Sequence, residues 1–142
     1  MASANKFNIF VQDIGRKVHN LNSDTLNTML TNSAPTSSNT VNGDLTEIGT
    51  GNGYSAGGSQ AASNSYSQSS GTAKLLANDV VFTASGGTIG ALRYATLYNA
   101  TAGSASNRPL ILWWDYGSSI TLADTETFTV DYDGTNGILT IA

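Results

Sequence analysis

Apolar side chains recur at Phe7, Phe10, Val11, Ile14, Val18 and Leu21, a three- and four-residue spacing that lines one stripe of an α-helix. The stripe predicts a helix over residues 6–18, with Asn8, Gln12, Asp13 and Lys17 on its other faces. Gly15 interrupts the pattern, and the run KFNIFV also fits a short strand docked on a sheet edge. Residues 1–23 therefore read as an N-terminal helix or docking arm. After the turn-like LNSD the period shortens to two. Leu26 and Leu30 fall on one side of a predicted strand over residues 25–31, and Asn27, Met29 and Thr31 fall on the other.

Residues 33–71 have little sequence complexity, and their large apolar side chains are few: Val41, Leu45, Ile48, Tyr54 and Tyr66. Such a stretch buries too little to offset backbone ordering at about 1–2 kcal/mol per residue. Either it lies on the body of the domain or it is ordered by a neighbouring chain, with one strand near residues 63–67. Residues 72–142 read as a β-strand meander. The runs DVVFTA, ALRYATLYN, LILWWDY, TETFTVDY and GILTIA are separated by SGG, TAGSASNRP, GSSITLAD and DGTN, all turn chemistry. Phe128, Val130 and Tyr132 alternate with Thr127, Thr129 and Asp131, the pattern of a half-buried antiparallel strand. Asp133 to Gly137 predict a closing hairpin. With seven or eight strands in all, the expected fold is mainly β, an antiparallel β-sandwich or jelly-roll-like single domain.

Composition sharpens this picture. At 142 residues the chain has the size of one domain. Charged residues make up only 11%, and Ser, Thr and Asn supply about a third of all positions. A net charge of -4 argues against a phosphate-backbone binder, so no nucleic acid is expected as a partner. Zero cysteines exclude disulfides and thiol chemistry. The longest apolar run, Leu110 to Trp114, is far short of a membrane span, and MASANKFNIFVQD carries no basic-then-apolar leader pattern. The expectation is a soluble protein made in a cytoplasm, without a membrane partner.

Groups able to do chemistry are sparse. His19, the single histidine, sits beside Arg16 and Lys17 rather than in a nucleophile constellation, and reads as a structural or surface residue. A glycosidase needs two of the ten acids across a cleft, which spacing does not reveal. Asp131 to Gly137 resembles a calcium loop superficially, but Asn136 stands where the glycine belongs and Ala142 where the glutamate belongs. Gly49-Thr50-Gly51-Asn52-Gly53 and Gly86-Gly87 read as turns rather than phosphate loops, and Asn99-Ala100-Thr101 is a formal glycosylation sequon. The chain reads as a non-enzyme without metal or cofactor.

Trp113, Trp114, Asp115 and Tyr116 form the most specific local feature. Neighbouring tryptophans on a strand face opposite sides, so one fills the core while the other is exposed beside Tyr94 or Tyr98, or is covered by a partner. Both rings could equally be absorbed by the sandwich. Charge is uneven as well. Lys6, Arg16 and Lys17 lie near the start, while Asp115, Asp124, Glu126, Asp131 and Asp133 lie after the last base, Arg108. The two ends could attract between chains, match a charged platform, or pair within one molecule.

The blocks NKFNIFVQDIGRKVHNL, SDTLNTMLTNSAP, GNGYSAGG, FTASGGTIGALRYATLYN and WWDYGSSITLADTETFTVDYDGTNGILTIA, in that order, resemble a family of small virion proteins of tailed bacteriophages. The resemblance spans nearly the whole chain and is weakest at SYSQSSGTAK. It implies a head decoration, or cement, protein on the outer capsid surface, made in the host bacterial cytoplasm, with the major capsid protein as partner and no catalytic motif. On that reading copies associate through apolar and aromatic surfaces as homotrimers, or as dimers. The interface residues are then Phe7, Phe10, Val11, Arg16, Lys17, Trp113, Trp114 and Tyr116. The segment around Phe7 and the polar stretch after Ser33 would lie across neighbouring capsid subunits. The alternatives are a glycan-binding module on a head or tail, stacking sugars on the Trp and Tyr rings, and a tail structural component.

Overall fold

The computed structural model describes residues 2–142. Its elements run β1 (Asn5–Lys6), α1 (Asn8–Gly15), β2 (Leu26–Thr31), β3 (Ser59–Gln60), β4 (Ser65–Ser69), β5 (Thr72–Leu76), β6 (Val80–Thr83), β7 (Ile89–Asn99), β8 (Leu110–Leu122), β9 (Thr127–Val130) and β10 (Leu139–Ile141). All strand pairs are antiparallel. The chain is thus mainly β, a sandwich-like domain with one short helix near its N-terminus, as the periodicities predict. The helix is shorter than expected, because Asn5 and Lys6 pair with Trp113 and Leu112 on the edge of β8. Both readings of KFNIFV hold in part.

Residues 72–142 do not form a meander. β7 pairs with β8, β6 with β9 and β5 with β10, so the pairs are nested and the chain folds as one long hairpin bent over itself, in jelly-roll manner. The large sheet has the order β1-β8-β7-β2-β3, and the facing layer is made of β10-β5-β4 and β6-β9. Alternation in a strand reveals which face is buried but not which strand lies alongside. For the same reason the turn at Asp133 to Gly137 is not a hairpin: it carries the chain from β9, paired with β6, to β10, paired with β5. Asp133 organises it, its carboxylate accepting from the Thr135 and Asn136 amides at 2.8 and 2.7 Å.

β2 has a core on each side. Leu26 and Leu30 enter the main core with Leu75, Phe82, Leu92, Leu97 and Ile111, while Met29 enters a second cluster with Phe7, Tyr98 and Leu110. That second cluster would face solvent if residues 34–47 did not cover it. Leu45 packs on it, Val41 bridges Pro109, and the Leu110 amide donates to the Thr40 carbonyl at 3.1 Å. The covering loop is held in turn by Asp44, whose carboxylate accepts from the Thr40 and Val41 amides at 2.7 and 3.2 Å.

The remainder of the serine-rich stretch is likewise ordered by the domain itself, the first of the two alternatives. Tyr54 is buried, and its hydroxyl donates to Glu47 Oε1 at 2.7 Å while accepting from the Leu30 amide at 3.0 Å. The same Glu47 oxygen accepts from the Gly57 amide at 2.6 Å. Gly58 presses so closely on β2 that a Cβ there would collide with the Thr28 carbonyl oxygen. Its φ of 74° is a second reason for glycine. β4 then joins the three-stranded sheet through β5.

Candidate functional site

The structure divides the residues expected at an interface. Phe7 is 0% exposed and Phe10 is 5% exposed. Phe7 packs on Trp113 with ring centroids 4.5 Å apart, and Phe10 belongs to the main core. Neither is a docking residue: the apolar stripe of α1 belongs to this chain's own interior, and the arm reading of residues 1–23 gives way to a docked helix. Val11, by contrast, is 59% exposed, and Arg16 and Lys17 are exposed at the end of the helix.

That helix ends in an unusual way. Lys17 donates its amide to the Ile14 carbonyl at 3.4 Å and Val18 to the Asp13 carbonyl at 3.0 Å, the paired bonds of a Schellman motif. The motif places its left-handed residue at Lys17, with φ 60°, where glycine is the favoured residue. A lysine is therefore held outward at a strained position.

Intramolecular pairing does not neutralise these bases. Among the described residues, the ion pair is Arg93 with Asp115, at 2.8 Å, while His19 Nε2 stands 4.0 Å from Asp13. Arg16 and Lys17 belong to neither, and nor do the exposed acids Asp124, Glu126 and Asp131. The charge asymmetry of the sequence survives folding as a basic, partly apolar patch at α1 and acids at the other end of the chain.

The tryptophans face opposite sides of β8, as expected. Trp113 is half-buried against the second cluster, and Trp114 is half-buried on the main-core side, 5.4 Å from the Tyr132 ring. Tyr98 is fully buried, so it offers no platform for a sugar. Tyr116 does, at 56% exposure. It stands at a large bulge: Tyr94 faces Asp115 and Leu92 faces Ile120, so Arg93 alone spans the stretch of β8 holding Tyr116, Gly117, Ser118 and Ser119. The stretch GSSITL is thus strand with a protrusion, and the turn between strands begins only at Ala123 and Asp124. Arg93 fixes the protrusion by donating through Nε and Nη2 to the two Asp115 oxygens at 2.8 and 3.0 Å, and the Gly117 amide donates to the same carboxylate at 2.8 Å. These bonds hold the Asp115 carboxyl below the usual carboxylate range, Arg93 contributing most.

Below the protrusion lies an open groove of about 400 Å³ between the large sheet and β9, lined by Arg93, Ala95, Trp114, Tyr116, Phe128, Thr129, Val130 and Asp131 with Ala2 at one end. Two of the lining residues, Tyr116 and Phe128, pack edge to face on each other, centroids 5.5 Å apart. Sequence reasoning singled out Trp114 and Tyr116 but missed Arg93, Phe128 and Asp131. No local signal joins them, since β9 comes beside β8 only through the nested pairing.

His19 is buried in a polar cluster. The Asn99 carboxamide oxygen accepts from the Thr101 and Ala102 amides at 2.9 and 3.1 Å, which fixes its orientation. Its nitrogen then donates to Asp24 Oδ2 at 2.6 Å and to His19 Nδ1 at 3.1 Å. The neutral ring therefore carries its proton on Nε2, which lies 4.0 Å from Asp13 and has no hydrogen-bond partner among the described residues. Burial lowers the His19 pKa, partly opposed by Asp13 and Asp24. This is the structural role expected of it. Asn99 is 0% exposed, so the sequon is closed in the folded chain. Among the described residues no cluster of His, Asp or Glu side chains is placed to hold a metal ion, and no helix is long and apolar enough to cross a membrane.

Comparison with known proteins finds no matching family model, no matching curated protein and no matching solved structure.

Proposed function

We propose that this chain is a structural virion protein, a decoration protein of a tailed-phage head that binds the outer capsid surface and reinforces it by touching several capsid subunits. The family reading comes from the order of sequence blocks. The observation that carries the mechanism is that Val11, Arg16 and Lys17 are all exposed, the two bases without a carboxylate partner among the described residues. A fold that buries Phe7, Phe10 and Tyr98 in its own interior stays dispersed before assembly, and unneutralised charge then steers it onto a surface of opposite sign. Partner contact relies on Val11, Arg16 and Lys17, with Tyr116 and the half-buried tryptophan edges as the other candidates, rather than on an arm that folds on arrival. Copies on the shell associate as trimers, so several weak contacts act together.

The test is binding of the purified protein to heads assembled without it, followed by separation of heads from tails. Wild-type protein saturates the heads, and occupancy falls as salt rises. Arg16→Glu combined with Lys17→Glu weakens head binding about 10-fold. Recovery with tails only, or equal binding by the charge-reversed protein, would overturn the proposal.

A further inference from the structure

We infer that the groove between β8 and β9 is a binding site for a neutral hexopyranose, as a unit of a polysaccharide. The inference stands on the groove alone and does not depend on the virion reading. Its volume of about 400 Å³ lies in the range of small-molecule sites, about 300–1,000 Å³. Trp114 and Tyr116 are two residues apart on one strand, and Phe128 faces them from β9. The exposed Tyr116 ring, propped edge to face by Phe128 and flanked by half-buried Trp114, offers an apolar surface for the C–H face of a sugar ring.

The polar groups at the rim match the sugar's edge. A guanidinium has five N–H donors, and Arg93 gives two of them to Asp115, leaving the others for sugar hydroxyls while the ion pair locks the side chain in place. Asp131, exposed just beyond the end of β9, supplies an acceptor. Neighbouring hydroxyls of a pyranose, each donor and acceptor at once, satisfy a rim of this mixed kind. Charge decides against an acidic sugar. Arg93 is already neutralised by Asp115, so among the described residues lining the groove the free charge is the Asp131 carboxylate, which repels uronate and sialate groups. Residues of the second cluster play no part, since Trp113 points to the other face of the sheet.

The experiment uses the full chain carrying Trp113→Phe, so that Trp114 is the sole fluorescent reporter. It is titrated with dextran, mannan and galactan, and with alginate and hyaluronate as acidic polymers. At least one neutral polymer changes Trp114 emission saturably and is competed by its own oligosaccharide, while the acidic polymers do not bind. Tyr116→Ala weakens the binding about 5-fold, and Tyr116→Phe, which keeps the ring, restores it. Tyr116 is exposed, so the thermal midpoint of Tyr116→Ala serves as the control that the fold is intact. No response to any neutral polymer, tighter binding of an acidic one, or unaltered affinity in Tyr116→Ala with the fold retained refutes the assignment.

Discussion

Lys17 shows how a single residue can trade stability for exposure. Its left-handed backbone at the end of α1 is one that L-residues other than glycine adopt at a cost of about 1–2 kcal/mol. Lys17→Gly is therefore expected to stabilise the fold by about 0.5–1 kcal/mol in denaturant unfolding, glycine's extra chain entropy offsetting part of the gain. If the basic patch docks on the capsid, the same variant binds heads more weakly. A gain in both stability and head binding would leave the lysine without a docking role. His19 carries the pH dependence. Its pKa is lowered by burial in the fold, from 6.5, so the unfolded chain binds the proton more readily. The contribution is full above the unfolded value and is lost as pH falls from there through the folded value, with a slope of at most about 1.4 kcal/mol per pH unit. Unfolding midpoints measured from about pH 7 to about pH 5 should decline, and His19→Gln should flatten that decline. A profile identical in both proteins contradicts the buried neutral ring. The depressed carboxyls of Asp44 and Asp133 act only at lower pH.

At the scale of elements, the sandwich has a covered outer face, and residues 34–60 do the covering. Phe7→Ala should cost about 3–5 kcal/mol, as removal of a fully buried ring does. Val11→Ala on the same helix should change stability by less than about 0.5 kcal/mol. Equal small effects at both sites would mean that α1 is not docked. Gly58→Ala should destabilise by more than the loss of backbone freedom explains, because the added methyl meets the Thr28 carbonyl. Chemical denaturation reads both, and a neutral Gly58→Ala would return the serine-rich stretch to the status of a loose loop. Much of this level was legible in the sequence. The alternation of Phe128 and Val130, the β2 pattern and the helical stripe all marked real elements. What was hidden is where an apolar face goes: periodicity put Val11 on the inner side of α1 and Asp13 on the outer, whereas the fold exposes Val11 and buries Asp13, and Phe7 and Phe10 suit a private core as well as a partner's. Turn chemistry misled at Gly117, Ser118 and Ser119 because the residues that end strands also build bulges, and in β8 the Arg93–Asp115 pair carries the strand through.

For the whole molecule, the nested hairpin brings together what the sequence keeps apart. Arg93, Trp114 and Phe128 come from three strands and meet at one groove, a juxtaposition no linear motif encodes. The charge imbalance, by contrast, was already visible in the sequence, and folding leaves it in place, with exposed bases at the end of α1 and exposed acids in the segments flanking β9. The proposed role, a part added to a finished shell, calls for a chain that packs its own core and keeps exposed charge for its partner. The most direct measurement is heat-induced DNA release from phage particles made with and without this protein. Particles lacking it should release DNA at a lower temperature, and addition of the purified wild-type chain should restore the higher one. Identical release temperatures in the two preparations would contradict the reinforcing role outright.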